Sequence, residues 1–257
     1  MAIRIDLNAD MGESFGPWPM GRDAEVLKVV TSANVACGFH AGDPTGMAET
    51  IRVARDNGVG IGAHPGFPDL QGFGRRRMQM ARADLQNAIR YQVGAIRGMA
   101  AAGGARVAHV KLHGALANMC AEDADLARAC FEAALSVDPD LTVYVLSGTA
   151  QEAAARALGA AYAAEIFADR AYSDDATLVD RSQPGALIHD ARHAAARMVE
   201  MVKAGAIIAE SGKVIPARID TICLHGDTET ALQIARAVRA GLEAEGVTLA
   251  PVAPVAA

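Results

Sequence analysis

Aromatic residues make up only 4% of these 257 residues, and tryptophan occurs once. A large core without them must be built from alanine, valine, isoleucine, leucine and methionine, which suits helices packed closely on a parallel sheet. Basic charge is also short: 24 lysines and arginines face 30 acids, a formal net charge of −6. That balance argues against nucleic acid as a partner, because phosphate contacts need a basic face. The only basic run, Arg75, Arg76 and Arg77, reads as a solvated loop. Cysteine is limited to Cys37, Cys120, Cys130 and Cys223, with no C-x-x-C pair and no disulfide framework. No uncharged apolar run approaches the roughly 20 residues of a membrane span. The first residues carry Asp6 and Asp10 where a leader would be basic and then apolar. No membrane association and a reducing, cytoplasmic location are therefore expected. Also missing are a Walker phosphate loop, a G-x-G-x-x-G after a strand and a G-x-S-x-G nucleophile elbow.

What is present is alternation. Short apolar runs at 3–8, 33–36, 59–63, 107–111, 141–146, 163–167 and 219–224 read as buried parallel strands. Between them lie helical patterns at 45–57, 82–102, 124–136, 149–158, 191–203 and 228–243, several ended by glycine or by Asp138-Pro139. Strand then helix, about seven times, predicts right-handed βαβ units. The fold class expected is α/β: a single closed or nearly closed (β/α) barrel over 1–257, with an open doubly wound sheet as the alternative. Residues 15–22 read as a structured loop over the first strand. Residues 169–188, with 212–217, lack helical periodicity and are expected to form an inserted hairpin or lid. The tail from 249 onward is expected to fray.

Strands that only build a fold end in bland turns, whereas these end in ionisable groups. The first runs Asp6-Leu7-Asn8-Ala9-Asp10-Met11-Gly12-Glu13, and alternation puts Asp6, Asn8 and Asp10 on the face that would line a barrel lumen. Such crowding is costly unless a metal, a cation or a substrate satisfies it. The second strand presents Asn34 and then Cys37-Gly38-Phe39-His40-Ala41-Gly42-Asp43, in which Asp43 reads as a helix cap and His40 has no such account. His64 leaves the third strand ahead of Pro65-Gly66-Phe67-Pro68-Asp69. Lys111 and His113 share a face of the fourth, and a buried lysine needs an anion. Glu165, Asp169, Arg170, Tyr172 and Arg181 follow, and His225 ends the last strand, with Asp227 or Thr228 as helix cap. Cys37 and Cys223 read as packing residues, with either thiol lining the pocket as the alternative.

Together these stretches resemble the LamB/YcsF family. The matching runs are DLNADMGE at 6–13, NVACGFHAGD at 34–43, GAHPGFPD at 62–69 and VKLHGALAN at 110–118. EIFADRAY at 165–172, LVDRSQPGA at 178–186 and ICLHGDT at 222–228 continue it in order, almost end to end. The family usually has proline at Leu112, tyrosine at Ala117, glycine at Ala176 and proline at Glu229. The resemblance implies a seven-stranded, TIM-like barrel related to the glycoside hydrolase/deacetylase superfamily. It also implies ATP-dependent opening of the lactam 5-oxoproline to glutamate, with this chain in the place of the A component beside B and C subunits. Without a nucleotide loop, ATP handling is expected to lie largely with those partners.

Chemistry then assigns roles. Asp10 or Glu13 would activate water, while His40, His64 and His113 would polarise the carbonyl or protonate the leaving nitrogen. Lys111, Arg170 and Arg181 would neutralise a carboxylate or phosphate. Asn8, Asn34, Glu165 and His225 complete the expected substrate contacts. Two rivals stand beside this reading. One is metal-dependent amide hydrolysis or deacetylation, a divalent ion being held by Asp10, His40 and His64. The other is a non-catalytic substrate-binding subunit. Homo-oligomerisation is left open by the sequence.

Overall fold

The lumen of this barrel is polar, and that fact organises the fold. The computed structural model describes residues 3–225 and 229–252. Seven parallel strands close on one another: β1 (Arg4–Met11), β2 (Ser32–Ala36), β3 (Gly60–His64), β4 (Val107–Lys111), β5 (Thr142–Leu146), β6 (Tyr162–Phe167) and β9 (Thr221–Leu224), with β9 pairing back to β1. Outward residues such as Leu7, Val35, Val110, Val145 and Ile222 are buried against the helices. The inward row of β1 is Asp6, Asn8 and Asp10, as alternation predicts. The first strand runs on to Met11, beyond the expected end at Asn8, so Asp10 is held by strand pairing to Asn34 and is not in a turn.

The helices form the outer layer: α2 (Pro44–Asp56), α3 (Arg82–Ala102), α4 (Gly114–Glu122), α5 (Ala124–Val137), α6 (Ala150–Ala157), α7 (Ala191–Ala204) and α8 (Glu229–Ala244). In α3, Leu85, Ile89, Val93 and Ile96 recur at helical spacing and are buried. Gln92 on the same helix is buried too, accepting from Gly66 N at 3.0 Å and donating to Gly66 O at 2.9 Å, which ties the helix to the loop after β3. Asp43 caps α2 through Thr45 N and Gly46 N and also accepts from Gly16 N, so the 15–22 loop is anchored to the same carboxylate. That loop precedes a single-turn helix α1 (Asp23–Val26). The sequence pattern gave no sign of α4, whose opening Gly114 looks like a loop residue. Asp227 and Thr228, expected to cap α8, lie outside the described residues. Within those residues, no helix is long and apolar enough to cross a membrane.

The segment 169–188 is irregular, as expected, held by antiparallel bridges Arg170–Leu187 and Tyr172–Leu178. A hairpin of β7 (Ala206–Ile208) and β8 (Val214–Pro216) lies beside it. The two are joined by Glu210 N to Tyr172 O at 2.9 Å and by Lys213 Nζ to Asp174 O at 2.8 Å. Ala176, where the family usually has glycine, adopts φ +67°, which explains that preference. A final short strand, β10 (Thr248–Leu249), pairs with the start of β1.

Large polar groups fit into so narrow a lumen because β3 contributes glycine. A Cβ on Gly62 would lie 2.1 Å from His109 Nε2. His109 has no room to retreat, since it bonds Asn34 Oδ1 at 2.8 Å and stacks on Tyr144 at 4.2 Å. Replacing Gly62 by alanine should destabilise the protein by about 3 kcal/mol. Urea denaturation should show this as a lower midpoint, and an unchanged midpoint would mean that the lumen is loosely packed around His109.

Candidate active site

Lys111 is the centre of the site. Buried at the C-terminal end of β4, its Nζ lies 3.1 Å from Asp10 Oδ1, 2.9 Å from Glu165 Oε1, 3.2 Å from Asn8 Oδ1 and 3.0 Å from Cys223 Sγ. Burial alone would strip its proton, but Asp10, Cys223 and Glu165 outweigh burial and hold its pKa well above the usual lysine value. It is a fixed ammonium and not a nucleophilic amine. Burial likewise acts against the Asp10 carboxylate, yet the charges of His64 and Lys111 carry it well below the ordinary range. Asp10 is therefore a permanent anion and a weak base. Glu165 is pushed up by burial, an effect that Lys111 only partly offsets.

Beneath this cluster the polar network continues down the lumen. Asn8 Nδ2 donates to Glu165 Oε1 at 2.9 Å, and Asn34 Nδ2 donates to Asn8 Oδ1 at 2.7 Å and to Asp10 Oδ1 at 2.9 Å. Asp6 closes the bottom, accepting from Thr31, Ser32, Thr221 and Tyr144. Asn8 and Asn34, expected to touch substrate, instead lie a layer below the cavity, fully buried, and hold Asp10 and Lys111 in place.

Above Lys111 the histidines converge. His64 Nδ1 donates to Lys111 O at 2.7 Å, and His113 Nε2 donates to Phe73 O at 2.8 Å. A carbonyl only accepts, so both outer nitrogens carry protons. The inner nitrogens, His64 Nε2 and His113 Nδ1, face each other at 3.0 Å, and His64 Nε2 is 3.2 Å from Asp10 Oδ2. Two lone pairs do not meet at that distance. One further proton on His64 Nε2 resolves the conflict and makes the pair a cation opposite Asp10. Burial and the His64 charge hold His113 itself down at about 3. His40, expected to be catalytic, stacks behind His113 at 3.7 Å and 4° and does not line the cavity. Burial keeps it neutral, and neither ring nitrogen has a partner among the described residues. Glycines at 66 and 74 make room for this stack: a Cβ there would come within 2.8 Å of His40 Nδ1 and 2.7 Å of His113 Cδ2. Phe73 adopts φ +54°, unusual for a bulky residue, while its carbonyl accepts from His113.

A cavity of about 760 Å³ opens over these groups, at the C-terminal ends of the strands. Asp10, Glu13, His64, Lys111, His113, Glu165, Arg170, Arg181 and His225 all line it, so most of the expected set is brought together. Burial and the nearby Asp10 raise Glu13 to about 8, making it a neutral acid at pH 7. Arg170 is buried and donates to Val179 O, whereas Arg181 is exposed. The basic run, read as a solvated loop, is more committed than that. Arg76 pairs with Asp69 and Arg77 with Glu122; Arg75 lies 4.9 Å over the Phe73 ring, and both Arg75 and Arg77 line the cavity. Sequence reasoning passed over His109 and Tyr144, though the alternation in AHVK at 108–111 places His109 on the Lys111 face. Cys223, read as a packing residue with pocket lining as the alternative, instead accepts from Lys111 Nζ.

A divalent ion does not fit these residues as arranged. Donor atoms gather as His40, His64 and His113 in one group and Asp10, Cys223 and His225 in another; the expected set of Asp10, His40 and His64 is neither. In the first group the His40 and His113 rings are parallel, so an ion in the plane of one lies out of the plane of the other. In the second, the Lys111 ammonium already supplies positive charge to Asp10 and Cys223.

The comparisons with known proteins agree with the order of motifs along the chain. The model of the LamB/YcsF family matches residues 5–257. The chain belongs to the LamB/YcsF family. It is 64% identical over 246 residues to the 5-oxoprolinase A subunit of Ruegeria pomeroyi, covering 96% of this chain and 97% of that one. The 5-oxoprolinase A subunit of Rhodopseudomonas palustris is 51% identical over 98% of this LamB/YcsF chain and 99% of its own. The crystal structure of a lactam utilization protein from Thermus thermophilus superposes with a TM-score of 0.91 at 43% identity, over 96% of this chain and 99% of that one. A family 4 carbohydrate esterase from Streptomyces lividans shares the fold alone, with a TM-score of 0.50 at 13% identity over 99% of this chain and 96% of that one. A closed seven-stranded barrel is thus what this LamB/YcsF sequence forms.

Removing Lys111 strands two buried carboxylates. Lys111→Met should cost about 3–5 kcal/mol of stability at neutral pH. Thermal unfolding should show much of the loss recovered at acidic pH, where Glu165 protonates; a loss independent of pH would contradict the charge argument.

Proposed function

We propose that this chain is the lactam-opening component of an ATP-dependent 5-oxoprolinase, working with B and C subunits. The observation that carries the reading is the meeting, in one cavity, of a fixed cation and anion with groups that carry protons. Lys111 and the protonated His64–His113 pair offer positive charge to the lactam oxygen and to the phosphoryl group it comes to carry. Arg170 and Arg181 on the cavity wall suit the carboxylate of 5-oxoproline or a phosphate. Neutral Glu13 suits the leaving nitrogen, which must gain a proton as the ring opens. The strong likeness to chains named as 5-oxoprolinase components supports the same reaction.

An unstrained γ-lactam resists water, so ATP is coupled to activation. The partners transfer the terminal phosphoryl group of ATP to the lactam oxygen, releasing ADP. In the cavity over Lys111, the oxygen of a water molecule bonds the ring carbon and loses its proton to a base. The ring C–N bond breaks, and Glu13 protonates the nitrogen. The resulting acyl phosphate is hydrolysed by a second water to glutamate and inorganic phosphate.

The decisive experiment follows glutamate release from 5-oxoproline, with and without ATP, by this chain alone and with its B and C partners. Release only from the full set with ATP supports the proposal, and full activity of the lone chain overturns the division of labour. As Glu13 is protonated below about 8 and loses its proton above it, turnover should fall as pH rises through that value. Glu13→Gln should lower turnover by about a hundredfold and remove that limb of the pH profile. Metal-dependent deacetylation is not favoured by the donor geometry. Elemental analysis of protein prepared without chelator should find no stoichiometric metal, and chelator should leave activity intact.

A further inference from the structure

We infer that His225 is the base that takes the proton of the attacking water, and that Asp169 is the residue that positions it. The inference rests on the lactam-opening reading and fills the role which that reading leaves open. Asp169 was not among the residues expected to form the site.

The pair is built by neighbouring strands. β6 and β9 are hydrogen-bonded side by side, with Phe167 in register with Cys223, and Ala168 N donates to Cys223 O at 3.1 Å. Two residues beyond each of those positions the chain presents Asp169 and His225. Asp169 Oδ2 lies 2.6 Å from His225 Nδ1. A carboxylate only accepts, so Nδ1 carries a proton, and the Arg181 guanidinium facing Nε2 leaves that nitrogen its lone pair. Nε2 lies 3.5 Å from the Arg181 guanidinium, which only donates. The ring lines the cavity and packs against Phe167, centroids 6.0 Å apart.

The other candidates are spoken for. Asp10 Oδ1 accepts from Lys111 and Asn34, its Oδ2 faces His64, and its charge is too well stabilised to make a strong base. Glu165 is tied to Lys111 and Asn8. His64 has both nitrogens protonated, His113 is too weakly basic, His40 is off the cavity, and Glu13 is the acid. His225 is the cavity-lining imidazole that remains among the described residues. Burial works against charging its ring, but the charge and hydrogen bond of Asp169 prevail and raise its pKa. Of the other groups facing it, Asp10 on β1 adds to the rise, Arg181 from the 169–188 segment opposes it, Glu13 follows β1, and Cys223 is on its own strand. As the water oxygen bonds the carbon of the phosphorylated lactam, the C=N electron pair moves to nitrogen and the water proton moves to Nε2. Nitrogen then takes the Glu13 proton and the C–N bond breaks as the new hydroxyl becomes the acyl carbonyl, giving its proton to the Glu13 carboxylate, while the imidazolium releases its proton to solvent.

The test uses the complete complex with 5-oxoproline and ATP. Asp169→Asn should lower kcat by about a hundredfold or more. KM should stay close to that of the native complex, and the acidic limb of the rate profile should move to lower pH. Asp169→Glu should recover part of the rate. If Asp169→Asn fails to fold, His225→Ala decides, since added imidazole should restore turnover to it. A native kcat in Asp169→Asn, a loss confined to KM, an unmoved acidic limb or no imidazole rescue would each overturn the inference. Failure of the native complex to release glutamate would count against the reaction itself. The dyad is still judged separately by nitrogen-15 NMR of His225, where an Nδ1–H tautomer supports it and an Nε2–H tautomer overturns it.

Discussion

Everything at the top of this barrel depends on keeping one ammonium out of water. Lys111 is desolvated, and a bare charge there would be ruinous. Asp10 and Glu165 supply its counter-charges at 3.1 and 2.9 Å, and Asn8 and Cys223 accept its remaining hydrogen bonds. The acceptors must themselves be held, which is the work of Asn34, Thr221 and, through Asn34, His109. A barrel filled with branched aliphatic side chains would be simpler to fold. This one spends its interior on a continuous polar column, from Asp6 at the bottom to the His64–His113 pair at the top.

The column also explains the composition. Polar side chains with several partners fill the lumen, so the strands that face them must thin out, as glycine does at Gly62 beneath His109. Outside, alanine-rich helices approach the sheet closely, and few aromatic rings are needed. Phe73, Phe167 and Tyr144 are among the exceptions, and each lies against a charged or imidazole group: His113, Lys111 and His109 respectively.

Much of this was legible in the sequence because two periodicities leave plain marks. Alternation placed Asp6, Asn8 and Asp10 on one face, and successive strand ends placed His64, Lys111, His113 and His225 around one opening. What alternation does not reveal is depth. Asn8 lies one inward position below Asp10 and Asn34 is in register with Asp10 on the next strand, yet neither lines the cavity, which makes them supports and not contacts. Nor does it reveal what stands behind what: His40 leaves its strand as His64 does, yet stacks outside the cavity wall. Asp169 was harder still, because its importance comes from a neighbour 56 positions away in sequence. Helix α4 left no mark in the pattern, because it opens on Gly114. Its left-handed backbone, φ +55°, brings it against the Gly74 carbonyl, a tertiary fit that no local pattern records.

That one cavity over Lys111 receives the lactam is tested most directly by a crystal structure of this chain with 5-oxoproline. The ring should lie in that cavity, its carbonyl oxygen toward Lys111 and His113, its nitrogen toward Glu13, and its carboxylate toward Arg170 or Arg181. A lactam bound elsewhere on the barrel, or seated in the cavity with its carbonyl turned away from Lys111 and His113, would contradict this account.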